Sequence, residues 1–114
     1  MGPGDQCIRE SAARLLGRTE HPRATTALAE ALRDPDVETR RLAALALGMG
    51  DRKEAFDPLI TALRDQEPRV RATAAISLGR LGDDRATKSL VPLLTGDRVP
   101  SVRRAAAYAL GDLD

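Results

Sequence analysis

The chain has 114 residues, of which 18 are Lys or Arg and 17 are Asp or Glu, so its formal net charge is +1. A balance this close to neutral argues against a strongly electropositive nucleic-acid binder. Aromatic residues make up 2% of the chain and Trp is absent, so a core built on large aromatic side chains is excluded in favour of packing between Ala- and Leu-rich helices.

The single cysteine, Cys7, cannot form an internal disulfide bond, which fits a reducing compartment. No apolar run approaches the roughly 18 residues that a membrane-spanning helix needs. The opening Met-Gly-Pro-Gly-Asp lacks the charged and apolar regions of a signal peptide. These features predict a soluble cytoplasmic protein that has no membrane partner.

A ten-residue pattern that ends in glycine occurs four times along the chain. It is clearest at Val70–Gly79 and Val102–Gly111. The closing glycines are Gly17, Gly48, Gly79 and Gly111, so the period is 31, 31 and 32 residues. A fixed period in this range is typical of a solenoid built from stacked repeats.

Each period predicts two helices, which we name helix B, ending near the glycine, and helix A, following it. B helices are predicted near Ile8–Leu16, Pro35–Leu47, Pro68–Leu78 and Pro100–Leu110, where Pro suits a first helical turn and the closing glycine suits a left-handed end. A helices are predicted at Arg23–Arg33, Lys53–Arg64 and Arg85–Thr95, because apolar residues recur there every three or four positions. The total is seven helices.

The segment from Asp65 to Asp83 reads Asp-x-x-Pro-x-Val-Arg-x-x-Ala-Ala-x-x-Leu-Gly-x-Leu-Gly-Asp. It resembles the HEAT-like repeats of the phycobilisome (PBS) lyase type, and the likeness extends from about Ile8 to Leu113. The resemblance implies an all-α fold, a right-handed, armadillo-like α-α superhelix of about three and a half repeats that forms one domain over residues 1–114. Because neither end reads as a polar capping repeat, the chain is either a segment of a longer array, which we favour, or it covers its ends by self-association.

The resemblance also implies a ladder of charged residues between successive repeats. In similar proteins, an aspartate in the turn from helix A to helix B and an arginine in helix B form charge-assisted hydrogen bonds. The matching positions are Asp34, Asp65 and Asp97, and Arg9, Arg40, Arg71 and Arg103. We interpret this series as structural and not as a row that binds anions.

The second B helix is apolar on two sides. At 100° per residue, Ala43, Ala44 and Leu47 share one side, whereas Leu42 and Leu45 fall on the other, which is polar in an ordinary surface helix. In solenoids of this family helix B lines the concave side, so these positions predict a binding groove whose central column runs through Arg14, Leu45, Ile76 and Tyr108. The predicted partner-binding residues are Arg14, Arg18, Arg41, Leu42, Leu45, Met49, Thr73, Ile76, Arg80, Arg104 and Tyr108.

An apolar groove with an arginine margin predicts a non-catalytic scaffold that binds a protein or peptide carrying acidic residues. The competing structural interpretation is that Leu45 and Ile76 pack on adjacent repeats or under flanking sequence. The resemblance implies another function, that of an accessory subunit of a bilin lyase or a related enzyme. Binding of duplex DNA by the groove arginines is the least favoured alternative, because the groove centre is aliphatic and aromatics that stack on bases are scarce.

Few residues in the sequence suit catalysis. The one histidine, His21, stands before a proline ahead of an A helix, where a solvated loop residue is its expected role. No Cys/His spacing matches a metal site, no Ser/His/Asp set can be assembled convincingly, and no glycine-rich loop matches a phosphate cradle. We therefore predict no catalytic residue, no metal and no cofactor.

Overall fold

The computed structural model describes residues 22–50 and 53–113, and these residues are all-helical, without a β-strand. The prediction of an all-α fold is confirmed. The α-helices are α1 (Pro22–Ala31), α2 (Val37–Leu47), α3 (Phe56–Ala62), α4 (Pro68–Leu81), α5 (Thr87–Gly96) and α6 (Pro100–Leu113), with short 3-10 turns at Lys53–Ala55 and Asp84–Ala86. Six of the seven predicted helices therefore lie in the described part of the chain, and the predicted first helix, Ile8–Leu16, lies outside it.

The helices pack as A–B pairs that stack side by side. Helices α1, α3 and α5 each pack against the B helix that follows, and the B helices α2, α4 and α6 also pack against one another in that order. The largest fully buried side chains are leucines from both layers, namely Leu28, Leu47, Leu59, Leu78 and Leu90. Burying each of these side chains stabilises the fold by about 1.5–3 kcal/mol, so the core is shared between repeats.

Helix α2 begins at Val37, two residues later than the predicted Pro35. Asp36 caps the helix: its carboxylate accepts hydrogen bonds from the backbone N–H and the hydroxyl of Thr39, each at 2.9 Å. The backbone N–H of Asp36 in turn donates to the carboxylate of Asp34 at 2.9 Å. Pro35 therefore lies in a turn that its aspartate neighbours hold closed.

The glycines that close the repeats do not take the left-handed conformation that their position predicted. Gly48 has φ −81° and ψ −7°, and Gly79 lies inside α4, which continues to Leu81. Left-handed backbone occurs instead at Gly50 and Gly82, with φ 83° and 72°. Gly111 likewise lies inside α6, which continues to Leu113. The prediction that Gly48, Gly79 and Gly111 end helices by reversing the backbone is therefore wrong.

The reason for glycine at these positions is the close approach of neighbouring B helices. A Cβ atom on Gly48 would lie 2.5 Å from the Cβ of Ser77, and one on Gly79 would lie 2.8 Å from the Cα of Ala109. Ser77 is fully buried, and its hydroxyl donates to the backbone carbonyl of Ala44 on the preceding B helix at 2.7 Å. Glycine therefore sets the spacing between repeats.

Candidate functional site

The candidate site is the outward side of the three B helices that the structure describes, which we call the B face. Its central column consists of Leu45, Ile76 and Tyr108, one from each of the adjacent helices α2, α4 and α6. Leu45 and Ile76 are half-buried and pack partly against the core, whereas Tyr108 is 64% exposed. Tyr108 is therefore the most accessible member of the column.

Leu42 does not belong to the B face, although the helical periodicity placed it there. Its side chain is 3% exposed and lies in the hydrophobic core. Helix α2 packs against α1 and also against α4. The buried part of its circumference is therefore wider than the apolar periodicity of this one helix predicts. The next repeat shows the same trend, since Thr73, the residue at this position in α4, is half-buried.

The accessible positive charge of the B face lies on α4 and α6. Arg80 and Arg104 are exposed, and no carboxylate of the described residues forms an ion pair with either of them. Arg104 lies one helical turn before Tyr108, and Arg80 lies one turn after Ile76. Together these side chains form an apolar centre with cationic flanks.

Arg41, the predicted B-face arginine of α2, is already bonded within its own helix. Its Nε donates to the Glu38 carboxylate at 3.0 Å, and its Nη2 contacts the same oxygen. The hydrogen bond from Arg41 holds the pKa of Glu38 below its ordinary value. Met49 is half-buried at the end of this helix. Of the other predicted partner-binding residues, Arg14 and Arg18 lie outside the described part of the chain.

Behind the B face, arginines of the B helices link successive repeats. Arg40 donates from Nε to Asp65 at 2.9 Å and from Nη2 to the same carboxylate at 3.3 Å. Arg71 donates to Asp97 in the same way, at 2.9 and 3.2 Å. The third nitrogen of each guanidinium donates to carbonyl oxygens of its own A–B turn, such as that of Asp34 at 2.9 Å. Each arginine therefore bonds its own turn to the next one.

Asp97 shows how these bonds affect ionisation. Burial alone would raise its pKa, but hydrogen bonds from Arg71 and from the backbone N–H of Val99, together with the nearby charge of Arg103, lower the pKa below its ordinary value. The charged carboxylate is thus the form that the fold favours. Of the other residues in the predicted ladder, Arg9 lies outside the described part of the chain.

Two surface features on the A side were not predicted from the sequence. Val91 of α5 is 43% exposed. The sequence held a signal for this exposure, because Val91 falls outside the apolar stripe that predicted the helix. A depression of about 660 Å³ lies between α1 and α3, next to the ladder. It is lined by charged residues of both signs, and two of these, Arg40 and Asp65, are bonded to each other.

Between residues 22 and 50 and between 53 and 113, no three or more His, Cys, Asp or Glu side chains are grouped so that they could hold a metal ion. None of the helices in these two ranges combines the length and apolar character required to span a bilayer.

The repeats match a known family in sequence. The profile of HEAT repeats matches residues 3–51 and, in a second overlapping match, residues 25–111. The chain belongs to the HEAT repeat family. No curated protein matches this HEAT repeat chain in sequence.

A solved structure is similar to most of the chain. It is the complex of CpcE and CpcF of phycocyanin lyase from Nostoc sp. PCC7120, in which one chain shares 32% sequence identity with a TM-score of 0.83. The match covers 96% of this HEAT repeat chain and 48% of the solved one, so the chain spans about half the length of its neighbour. The resemblance to HEAT-like repeats of the PBS lyase type is confirmed.

Proposed function

We propose that this HEAT repeat chain is a non-catalytic, protein-binding component of a bilin-lyase-type assembly, in which its B face holds a protein partner. The observation that carries the proposal is the 32% identity over 96% of the chain to a protein in the CpcE–CpcF complex of phycocyanin lyase. That neighbour acts in a complex of two proteins, which supports a protein partner here. A general scaffold, without a link to bilins, is the broader form of the same proposal.

The contacts between B helices support the B face as the concave, partner-holding side. Glycine at positions 48 and 79 removes the Cβ atoms that would keep neighbouring B helices apart. When helices approach more closely in one layer of a solenoid, the array bends toward that layer. The B face then curves around a partner, in the right-handed superhelix that the family resemblance implies.

The chemistry of the B face supports a partner with acidic residues. Tyr108 supplies a large and largely exposed contact surface, and tyrosine and arginine are frequent energetic anchors in protein interfaces. Arg104 and Arg80 supply cations without a carboxylate partner among the described residues. Complementary charge accelerates encounter and suppresses wrong partners, so acidic groups on the partner would lie beside Tyr108.

The experiment is a pull-down from a lysate of phycocyanin-producing cells, with the intact chain immobilised. We expect the eluate to contain a specific protein together with visible absorbance from a tetrapyrrole. Tyr108→Ala should lower the recovery of both, whereas Val91→Ala, the matched change of an exposed apolar residue on the A side, should not. Recovery of a specific protein with no tetrapyrrole-linked component would contradict the bilin-lyase role and leave the general scaffold.

A further inference from the structure

The depression between α1 and α3, which we call the A-side pocket, is lined by small side chains where the following repeat has large ones. Ala29 and Ala62 line the pocket. One period of 31 residues further on, the same repeat positions hold Ile60 and Leu93. Both of these side chains are half-buried against the core. The two alanines therefore leave open a space that larger residues at the same repeat positions would occupy.

The floor of the A-side pocket is apolar. Leu32 of the turn after α1 and Pro58 of α3 line it beside the two alanines, and both are half-buried. The volume of about 660 Å³ lies in the range of pockets that hold small organic molecules. The pocket therefore suits the apolar part of a small ligand.

Two arginines mark the end of the pocket that lies at the A–B turns. Arg33 and Arg64 line the pocket and occupy the same repeat position, and the backbone N–H of each donates to the carbonyl oxygen three residues earlier, at 3.0 and 3.1 Å. Both arginines are exposed, and no carboxylate of the described residues forms an ion pair with either. Because the axes of neighbouring helices lie about 8–10 Å apart, both guanidinium groups are within reach of one anionic head group.

The opposite end of the pocket is acidic. Asp57 lines the pocket in the first turn of α3, seven residues before Arg64, which corresponds to about 10 Å along a helix. Asp57 is exposed and takes part in no ion pair with another described residue. Arg85 feels the charge of Asp57 but is bonded to Asp83 at 2.7 Å. A second anionic group of a ligand would therefore be repelled at this end.

We infer that the A-side pocket binds a small amphiphile with a single anionic head group, such as a carboxylate or a sulfonate. The head group lies between Arg33 and Arg64, and the apolar part covers Leu32 and Pro58. The bonded pair of Arg40 and Asp65 at the edge of the pocket adds no net charge. This pocket is separate from the B face, and the inference does not depend on the proposed function.

The test uses anilinonaphthalene sulfonate, a dye with one sulfonate on an apolar aromatic body, whose fluorescence rises when it leaves water. We expect the intact chain to bind the dye and decanoate to displace it. Decanedioate, which has the same chain length and a second carboxylate, should compete at least roughly threefold less well, and Asp57→Asn should remove most of this difference. Equal competition by the two acids against the original chain would overturn the inference of a single head group.

Filling the pocket shows whether the dye binds there. Ala29→Ile, alone and together with Ala62→Leu, introduces the residues that the following repeat carries at these positions, so we expect folded variants with at least roughly tenfold weaker dye binding. Ala27→Ile is the matched change at an exposed position of α1 that does not line the pocket, and it should leave binding unchanged. Undiminished binding to a filled variant whose melting midpoint is preserved would refute the site.

Charge variants test the head-group end. Arg33→Gln and Arg64→Gln should each weaken dye binding by about two- to fivefold, the range expected for an exposed ionic contact. Arg98→Gln, at an exposed arginine outside the pocket, should have no effect. Loss of dye binding in Tyr108→Ala, with the filled variants unchanged, would place the ligand on the B face and overturn the inference.

Discussion

Arg71 and Asp97 join two successive repeats through a pair of hydrogen bonds, Nε to Oδ2 at 2.9 Å and Nη2 to Oδ1 at 3.2 Å. Their side chains are 16% and 8% exposed, so the pair is shielded from the screening that weakens surface ion pairs. Arg71 also donates to the carbonyl oxygen of Asp65 at 2.8 Å. One guanidinium therefore ties together the A–B turns of two successive repeats.

Removing the charge of Asp97 should destabilise the chain. Asp97→Asn keeps the shape but weakens two charge-assisted hydrogen bonds and leaves the largely buried Arg71 poorly paired, so we expect a loss of about 1.5–3 kcal/mol in the free energy of unfolding. Urea denaturation measures this loss. The control is Asp83→Asn, which removes the charge opposite the exposed Arg85, and it should cost clearly less, because solvent screens an exposed ion pair. Equal losses in the two variants would show that the ladder contributes no more than a surface pair.

The lowered pKa of Asp97 predicts how stability depends on pH. The unfolded chain has an ordinary aspartate pKa of about 3.9, and the folded state has a lower one, so the folded state binds fewer protons between the two values. The contribution of Asp97 is therefore fully present above the unfolded value and is lost as the pH falls through the folded value. Denaturation midpoints measured from pH 6 downward should fall less steeply below about pH 4 in Asp97→Asn than in the original chain. Parallel curves would contradict this assignment.

Adding one methyl group at Gly79 should be costly, although alanine is normally the better helix former. The new Cβ would lie 2.8 Å from the Cα of Ala109 and 3.0 Å from its carbonyl oxygen, so the backbone of α6 would have to move. We expect Gly79→Ala to destabilise the chain by about 1–3 kcal/mol. Gly111→Ala is the matched control at the same repeat position, and it should be neutral or stabilising by up to about 1 kcal/mol. Thermal unfolding of both variants decides the matter.

Charge substitutions at two positions of the central column should differ in their effect on the stability of the fold. Tyr108→Asp should leave the melting temperature nearly unchanged, because the side chain is 64% exposed. Ile76→Asp should lower the free energy of unfolding by about 1–3 kcal/mol, because Ile76 is half-buried against the core. Circular dichroism during heating gives both values. A large loss for Tyr108→Asp would show that this residue is part of the core and not of the B face.

The helices could be predicted from the sequence because they depend on local periodicity. Within the described residues, apolar spacing located the A helices and the repeated pattern located the B helices to within a few residues. Pro68 and Pro100 marked helix starts that the structure reproduces. The B face was harder to define. Leu42 was assigned to it because one helix alone does not reveal that neighbours pack on both its flanks.

The role of the repeat-closing glycines also required the structure. Glycine at a helix end usually signals a left-handed cap, and a sequence does not distinguish that use from close helix contact. At Gly48 the structure shows close helix contact, because an added Cβ atom would lie 2.5 Å from the Cβ of Ser77. By contrast, the sequence alone could have indicated the pairing of Arg41 with Glu38, since residues three apart on a helix are neighbours. Arg41 would then not have been counted among the cations that the groove offers to a partner.

The central claim is that the B face binds a protein partner. Its most direct test is the affinity of two double variants for the protein that the pull-down recovers. Tyr108→Ala with Arg104→Glu alters the B face, and Val91→Ala with Lys88→Glu truncates an apolar side chain and reverses a positive charge at exposed positions of α5. Titration calorimetry should show at least a roughly tenfold weaker affinity for the first variant, equivalent to about 1.4 kcal/mol, and no change for the second. Unchanged affinity of the B-face variant, with both proteins folded, would contradict the claim that this face binds the partner.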